Sequence, residues 1–141
     1  MPRISAQVTN RSGHHDIMVR TNNAEQTVTI PPKSSGSGSS VNGGELLFLA
    51  LATCYCNDIY REAAKRNISV QSVHVDVAGD FGDAPGSAAQ SITYRATVEA
   101  RASEDDIKAL MQHTDTVAEI HNTLRQGMPV TLIETTAISI P

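Results

Sequence analysis

Two cysteines, Cys54 and Cys56, are the residues of this chain best suited to carry chemistry. A thiolate is a strong nucleophile, but it needs a positive neighbour and partial exposure to form at neutral pH. Each cysteine also reads well as a small core hydrophobe, because both lie in a nearly apolar run. The two do not serve one another. On a helix, positions i and i+2 point about 200° apart. A disulfide between them is therefore strained, and shared metal chelation meets the same obstacle. The five histidines, His14, His15, His74, His113 and His121, fall in no metal-ligand spacing. His14-His15 sits beside a turn, His74 alternates outward on a strand, and His113 and His121 lie near helix ends. No GxSxG, P-loop or GxGxxG is present, and Gly36-Ser37-Gly38 lacks the lysine of a phosphate loop. Neither a metal nor a cofactor is expected.

The elements that must position these cysteines follow from pattern. Residues 43–66 predict a helix, capped by Asn42 or Gly43, with Glu45 in its first turn and Lys65-Arg66-Asn67 at its end. Its first half, Leu46 to Ala52, is apolar all round and must be buried on every side. A chain of 141 residues cannot sheathe such a rod alone. A homodimer that packs two copies of this helix together is the physical inference. Upstream, Ile4–Val8, Asp16–Thr21 and Gln26–Ile30 read as short strands. Ser34 to Ser40 reads as a flexible loop, either a plain connector or a flap beside a pocket. Downstream, Val73-Val75-Val77 and Tyr94-Ala96-Val98 alternate with polar residues, as in antiparallel strands with one buried face. Ser103 caps a helix that runs to about Gln112 or His113, with Asp106 completing an acidic capping box. A second helical stretch covers Thr116 to Arg125, and a last strand Val130 to Ile140. The fold class is α+β in a single domain, residues 1–141.

Composition bounds the function. Apolar residues make up 40% of the chain and charged ones 18%, enough for a core. The net charge of −4 argues against a sequence-independent grip on nucleic acid. Aromatics at 4% make a base-stacking platform improbable. Two cysteines are too few for a disulfide scaffold and fit a reducing compartment. The run Leu46 to Cys56 is 11 residues, short of a membrane span. Nothing at Met1 to Ser5 reads as a leader, so a cytoplasmic location is expected.

The stretch Asn42-Gly43-Gly44-Glu45-Leu46-Leu47-Phe48-Leu49-Ala50-Leu51-Ala52-Thr53-Cys54 resembles the start of the central helix in the OsmC/Ohr family, whose pattern is close to N-P-x-E-L-L-x-x-A-L-A-x-C. Ala63 to Val77 is also similar. His121-Asn122-Thr123-Leu124-Arg125, followed by Met128-Pro129-Val130, resembles the family's C-P-V-x-N-T-L-x-x-x-x-P-V signature. The resemblance implies an intertwined α+β homodimer with long central helices and a site at the interface. It implies a peroxidatic cysteine, matched by Cys54, that attacks an organic hydroperoxide or hydrogen peroxide. The resulting sulfenic acid is converted to a disulfide by a second cysteine, which a dithiol then reduces. An arginine and a glutamate tune the thiolate. Here the second cysteine's position falls on Ala118, and Glu119 replaces the usual proline. The glutamate position falls on Gly44, beside Glu45. The arginine is Arg20 or Arg11, with Arg20 the candidate.

Three functions are thus open. The first is a one-cysteine thiol peroxidase in which Cys54 acts with Glu45 and Arg20 and an external thiol regenerates it. The second is a non-catalytic protein that holds a small apolar ligand at the dimer interface. The third is a structural dimer.

Overall fold

The computed structural model describes residues 1–141, in two compact units, Met1–Phe48 and Leu49–Pro141. The first unit carries β1 (Ile4–Arg11), β2 (His14–Thr21) and β3 (Ala24–Thr27), an antiparallel sheet in the order β1-β2-β3. Gly13, at φ +74°, makes the tight turn between β1 and β2, a conformation glycine adopts without strain. Asn22 turns the chain again at φ 52°, and its side chain accepts a hydrogen bond from Arg3 N–H. The Ser/Gly segment is closed at its neck. Pro32 bridges Ser39, Lys33 N–H donates to Gly38 O, and Ser40 donates twice to Pro31 O. The expected loose loop is therefore a pinned one.

Helix α1 (Gly43–Lys65) starts at a reciprocal cap. Glu45 N–H donates to Asn42 Oδ1 at 2.8 Å, while Glu45 Oε1 accepts from Asn42 N–H at 3.1 Å. It ends where Asn67 takes φ 56° and Ile68 N–H reaches back to Ala63 O, a left-handed C-terminal cap. Both ends agree with the sequence expectation to within a residue.

In the second unit, β4 (Ser69–Phe81) pairs antiparallel with β5 (Ala89–Arg101). The alternating side chains Val73, Val75, Tyr94, Ala96 and Val98 form one face, packed against Tyr55, Ile59 and Ala63 of α1. Helix α2 (Glu104–Val117) starts at Ser103, whose Oγ accepts from Asp106 N–H, and drops Leu110 into the same core. Ile59 and Leu110 are wholly buried. No helix is long and apolar enough to cross a membrane.

Further expectations are corrected. Helix α2 runs four residues past His113, because Thr114 and Thr116 turn their hydroxyls back onto Leu110 O and His113 O instead of competing for the next turn. Ala118, in extended conformation, then breaks the chain, and α3 (Glu119–Arg125) starts three residues later than predicted. The strand Val130–Ile140 does not form. No edge pairs with it, and Val130, Leu132, Ile133, Ile138 and Ile140 are 82–100% exposed. A strand pattern without a hydrogen-bonding neighbour has no ladder to join. The apolar half of α1 is likewise uncovered in places, with Leu49 59% exposed.

Candidate functional site

Cys54 and Cys56 leave α1 on different sides, as their spacing requires. Cys56 faces a shallow cavity with Ala52, Asn57, Val73 and Val75. Cys54 is half-buried and meets α3. One turn along the helix, Asp58 Oδ2 lies 3.4 Å from Cys54 Sγ and accepts its S–H. Glu119, from the head of α3, joins them. Donor atoms of Cys54, Asp58 and Glu119 all lie within 4.8 Å of one another. Arg61 binds the cluster together: its Nη1 is 3.2 Å from Asp58 and 2.7 Å from Glu119, and its Nε is 2.8 Å from Glu62. Glu62 is itself buried and is met by Lys65 at 3.0 Å and His113 at 2.9 Å.

The electrostatics of this cluster run against a resting thiolate. Burial pushes the Cys54 thiol up. The Ile120 backbone N–H opposes that, but the Asp58 and Glu119 charges add to it. Burial also raises Asp58, despite the thiol hydrogen bond and Arg61. Glu119 is held below its ordinary value by its own backbone N–H and by Arg61. Glu62 is lowered to about 2, chiefly by Arg61 and then by Lys65. Cys54 thus rests as a thiol with a carboxylate acceptor already in contact. A thiol and two carboxylates are also possible metal donors. Sequence spacing alone does not bring them together, and Arg61 already serves the carboxylates as counter-ion.

The other sequence candidates sit in the first unit. Arg20, on β2, forms an ion pair with Glu25 across the sheet. Glu45 is engaged in the cap of α1. In the second unit Ala118, where the resemblance would place a second cysteine, is fully buried. Asp58, Arg61 and Glu119 were missed by sequence reasoning. Their signal was present for the first two, since Asp58 lies four and Arg61 seven residues after Cys54, on one helical face. Glu119 had only the signal of the resemblance, which sets it beside the second cysteine's position at Ala118, for α3 brings it in from 65 positions away.

A protein with a half-buried helical cysteine, a two-stranded antiparallel sheet behind that helix and short helices closing on it belongs to a recognisable class of α+β folds. The chain belongs to the OsmC-like protein family, whose model matches residues 36–133. Among solved structures it is similar to an OsmC-like protein from Mycoplasma pneumoniae, at 21% identity and TM-score 0.63, over 90% of this chain and 88% of that one. It is also similar to an organic hydroperoxide resistance protein from Elizabethkingia anophelis (16% identity, TM-score 0.57, 89% of each chain). An OsmC-like hydroperoxide resistance protein from Jannaschia is similar at 13% identity and TM-score 0.54, over 96% of this chain and 93% of that one. No curated protein sequence matches significantly. At these identities the likeness shows the fold.

Proposed function

We propose that this protein reduces hydroperoxides through Cys54 alone, with an external thiol as reductant. The observation that carries the reading is the 3.4 Å contact from Cys54 Sγ to Asp58 Oδ2, a nucleophile with a general base in reach. Arg61 orients that base, holding Asp58 at 3.2 Å. The names of the hydroperoxide resistance proteins that share the fold support the substrate class.

In the proposed step Asp58 takes the S–H proton as sulfur attacks the terminal peroxide oxygen. The O–O bond breaks, sulfur is oxidised to the sulfenic acid, and the departing alkoxide takes the proton back from Asp58 to leave as an alcohol. With Ala118 where a second cysteine would stand, an external thiol then attacks the sulfenic sulfur. Water leaves and a mixed disulfide forms. A second thiol releases Cys54 as the free thiol. Arg20 remains the proposed guanidinium for the departing oxygen, and Glu45 a proposed helper. The active form is proposed to be a homodimer, because a second copy can cover the exposed apolar residues of α1.

The raised thiol favours one other reading, a protein that binds a small apolar molecule at the dimer interface without chemistry. Cumene hydroperoxide separates the two. Under a thiol reductant, turnover is expected that Cys54→Ser abolishes and Asp58→Asn lowers by about a hundredfold, the scale of general-base catalysis. Oxidation of Cys54 no faster than that of free cysteine overturns the peroxidase reading and leaves the binding one.

A further inference from the structure

Glu62 is a carboxylate that almost no solvent reaches, at 4% exposed. It sits on α1 directly after Arg61 and one turn past Asp58. Three donors converge on it. Arg61 Nε at 2.8 Å and Lys65 Nζ at 3.0 Å share its Oε2, and His113 Nε2, from α2, meets its Oε1 at 2.9 Å. An ionised carboxylate only accepts, so the imidazole donates to it. Burying a charge is costly, and an apolar residue of the same volume often serves a fold as well or better. What the carboxylate does that an apolar residue cannot is hold Arg61.

Adjacent residues on a helix do not face one another, so the Arg61 side chain has to lie over toward Glu62 to make its Nε bond. The same guanidinium reaches Glu119 with Nη1 at 2.7 Å, Asp58 with Nη1 at 3.2 Å and the Val117 carbonyl with Nη2 at 3.4 Å. The group is rigid and flat, so anchoring Nε restricts where its other two nitrogens point. All of these residues belong to the second unit. Asp58 and Glu119 are the two carboxylates beside Cys54 Sγ, and Arg61 is the cation paired with both. The groups that face the thiol are thus Asp58 on α1, and Glu119 and the Ile120 N–H on α3, with Arg61 behind the two carboxylates. Were the guanidinium to move off, two negative charges would stand against the sulfur unscreened.

We infer that Glu62 is a positioning residue for Cys54: by anchoring the Arg61 guanidinium it keeps Asp58 and Glu119 neutralised beside the sulfur, and so governs the reactivity of the thiol. Glu62 itself does not touch the sulfur and acts through Arg61. This role rests on the reading of Cys54 as the reactive group, but not on peroxide as its substrate.

The test is the pH dependence of iodoacetamide labelling of Cys54 in the full chain, read by peptide mass spectrometry so that Cys56 is counted separately. No peroxide enters the measurement, so its outcome is separate from that of the peroxidase assay. Glu62→Met keeps the volume and loses the acceptor. It is expected to move the labelling midpoint up by about half a pH unit or more, roughly a threefold loss of rate at a fixed pH below the midpoint. Removing a negative charge by itself moves a thiol's midpoint down, so the sign separates anchoring from plain electrostatics. Glu62→Gln keeps an oxygen for Arg61 Nε, and its midpoint is expected to return close to the native one even though the lost charge costs stability. Arg61→Lys keeps the charge and loses the flat fork, at a side chain 39% exposed. It is expected to raise the midpoint too, and it decides the question should Glu62→Met not fold. A Glu62→Met midpoint that stays or falls overturns the inference. So does a Glu62→Gln midpoint raised as far as that of Glu62→Met, or an Arg61→Lys midpoint that stays at the native value.

Discussion

At the scale of single residues, the chemistry of Cys54 turns on Asp58. Burial raises the thiol at rest and the carboxylate adds to that; in the proposed reaction the same carboxylate takes the thiol's proton. Those roles have opposite signatures. Removing the charge in Asp58→Asn is expected to speed iodoacetamide labelling of Cys54 near pH 7, since the thiolate is no longer repelled, while peroxide turnover falls. If labelling and turnover rise together, Asp58 is only an electrostatic brake. Glu62 offers a second test. Its carboxyl is lowered from 4.5 to about 2 in the folded chain by Arg61, Lys65 and His113. A depressed carboxylate contributes its stability in full above the ordinary carboxylate range and loses it as pH falls toward the folded value. The stability difference between the native chain and Glu62→Gln is therefore expected to be constant above about pH 5 and to vanish on acidification toward pH 2. Urea unfolding across that window measures it. Of these residues, the sequence made Cys54 legible by type and position. The Asp58 and Arg61 partnership follows from helical period, yet charged residues at that spacing are ordinary on any solvated face.

At the scale of elements, α1 holds the second unit together through one stripe. Leu51, Tyr55, Ile59 and Ala63 recur at helical spacing and are buried, while Leu49 and Tyr60 lie on the outer side. Ile59 is wholly enclosed, so Ile59→Ala is expected to cost about 2–5 kcal/mol in chemical denaturation, from lost burial and the cavity left behind. The caps are smaller levers. Ser103→Ala removes the acceptor for Asp106 N–H and is expected to cost about 1 kcal/mol. The break at Ala118 is the element feature that matters most for the site. It ends α2 in extended backbone and restarts the chain as α3, which brings Glu119 to Arg61. No proline or glycine marks that break, so the sequence reading placed it at residues 114–115, a few positions early.

At the scale of the whole molecule, two apolar surfaces await an explanation: the exposed side of α1 around Leu49, and the tail from Val130 to Ile140. A patterned tail with no ladder partner, and an oily helix face beside water, are the features a second copy of the chain can satisfy together. Light scattering at micromolar concentration is expected to give about twice the chain mass. A monomeric mass would remove the dimer from the proposal and leave the contacts of Cys54 within its own unit unchanged.

Local physics was enough for much of this protein. Asn42 and Asn67 bound α1, alternation sets the inner face of β4 and β5, and Ser103 starts α2, because caps and pleats are decided among near neighbours in the chain. The tail shows the limit of the same reasoning, for a strand pattern states which face would be buried but not whether an edge exists to receive it. Only the tertiary structure decided that Glu119 joins Cys54 and Asp58, and that His121 packs against Tyr55 and Tyr94. Those juxtapositions join residues of α1 to residues of α3 and β5. Long-range neighbours are set by how whole faces pack, and no local spacing encodes them.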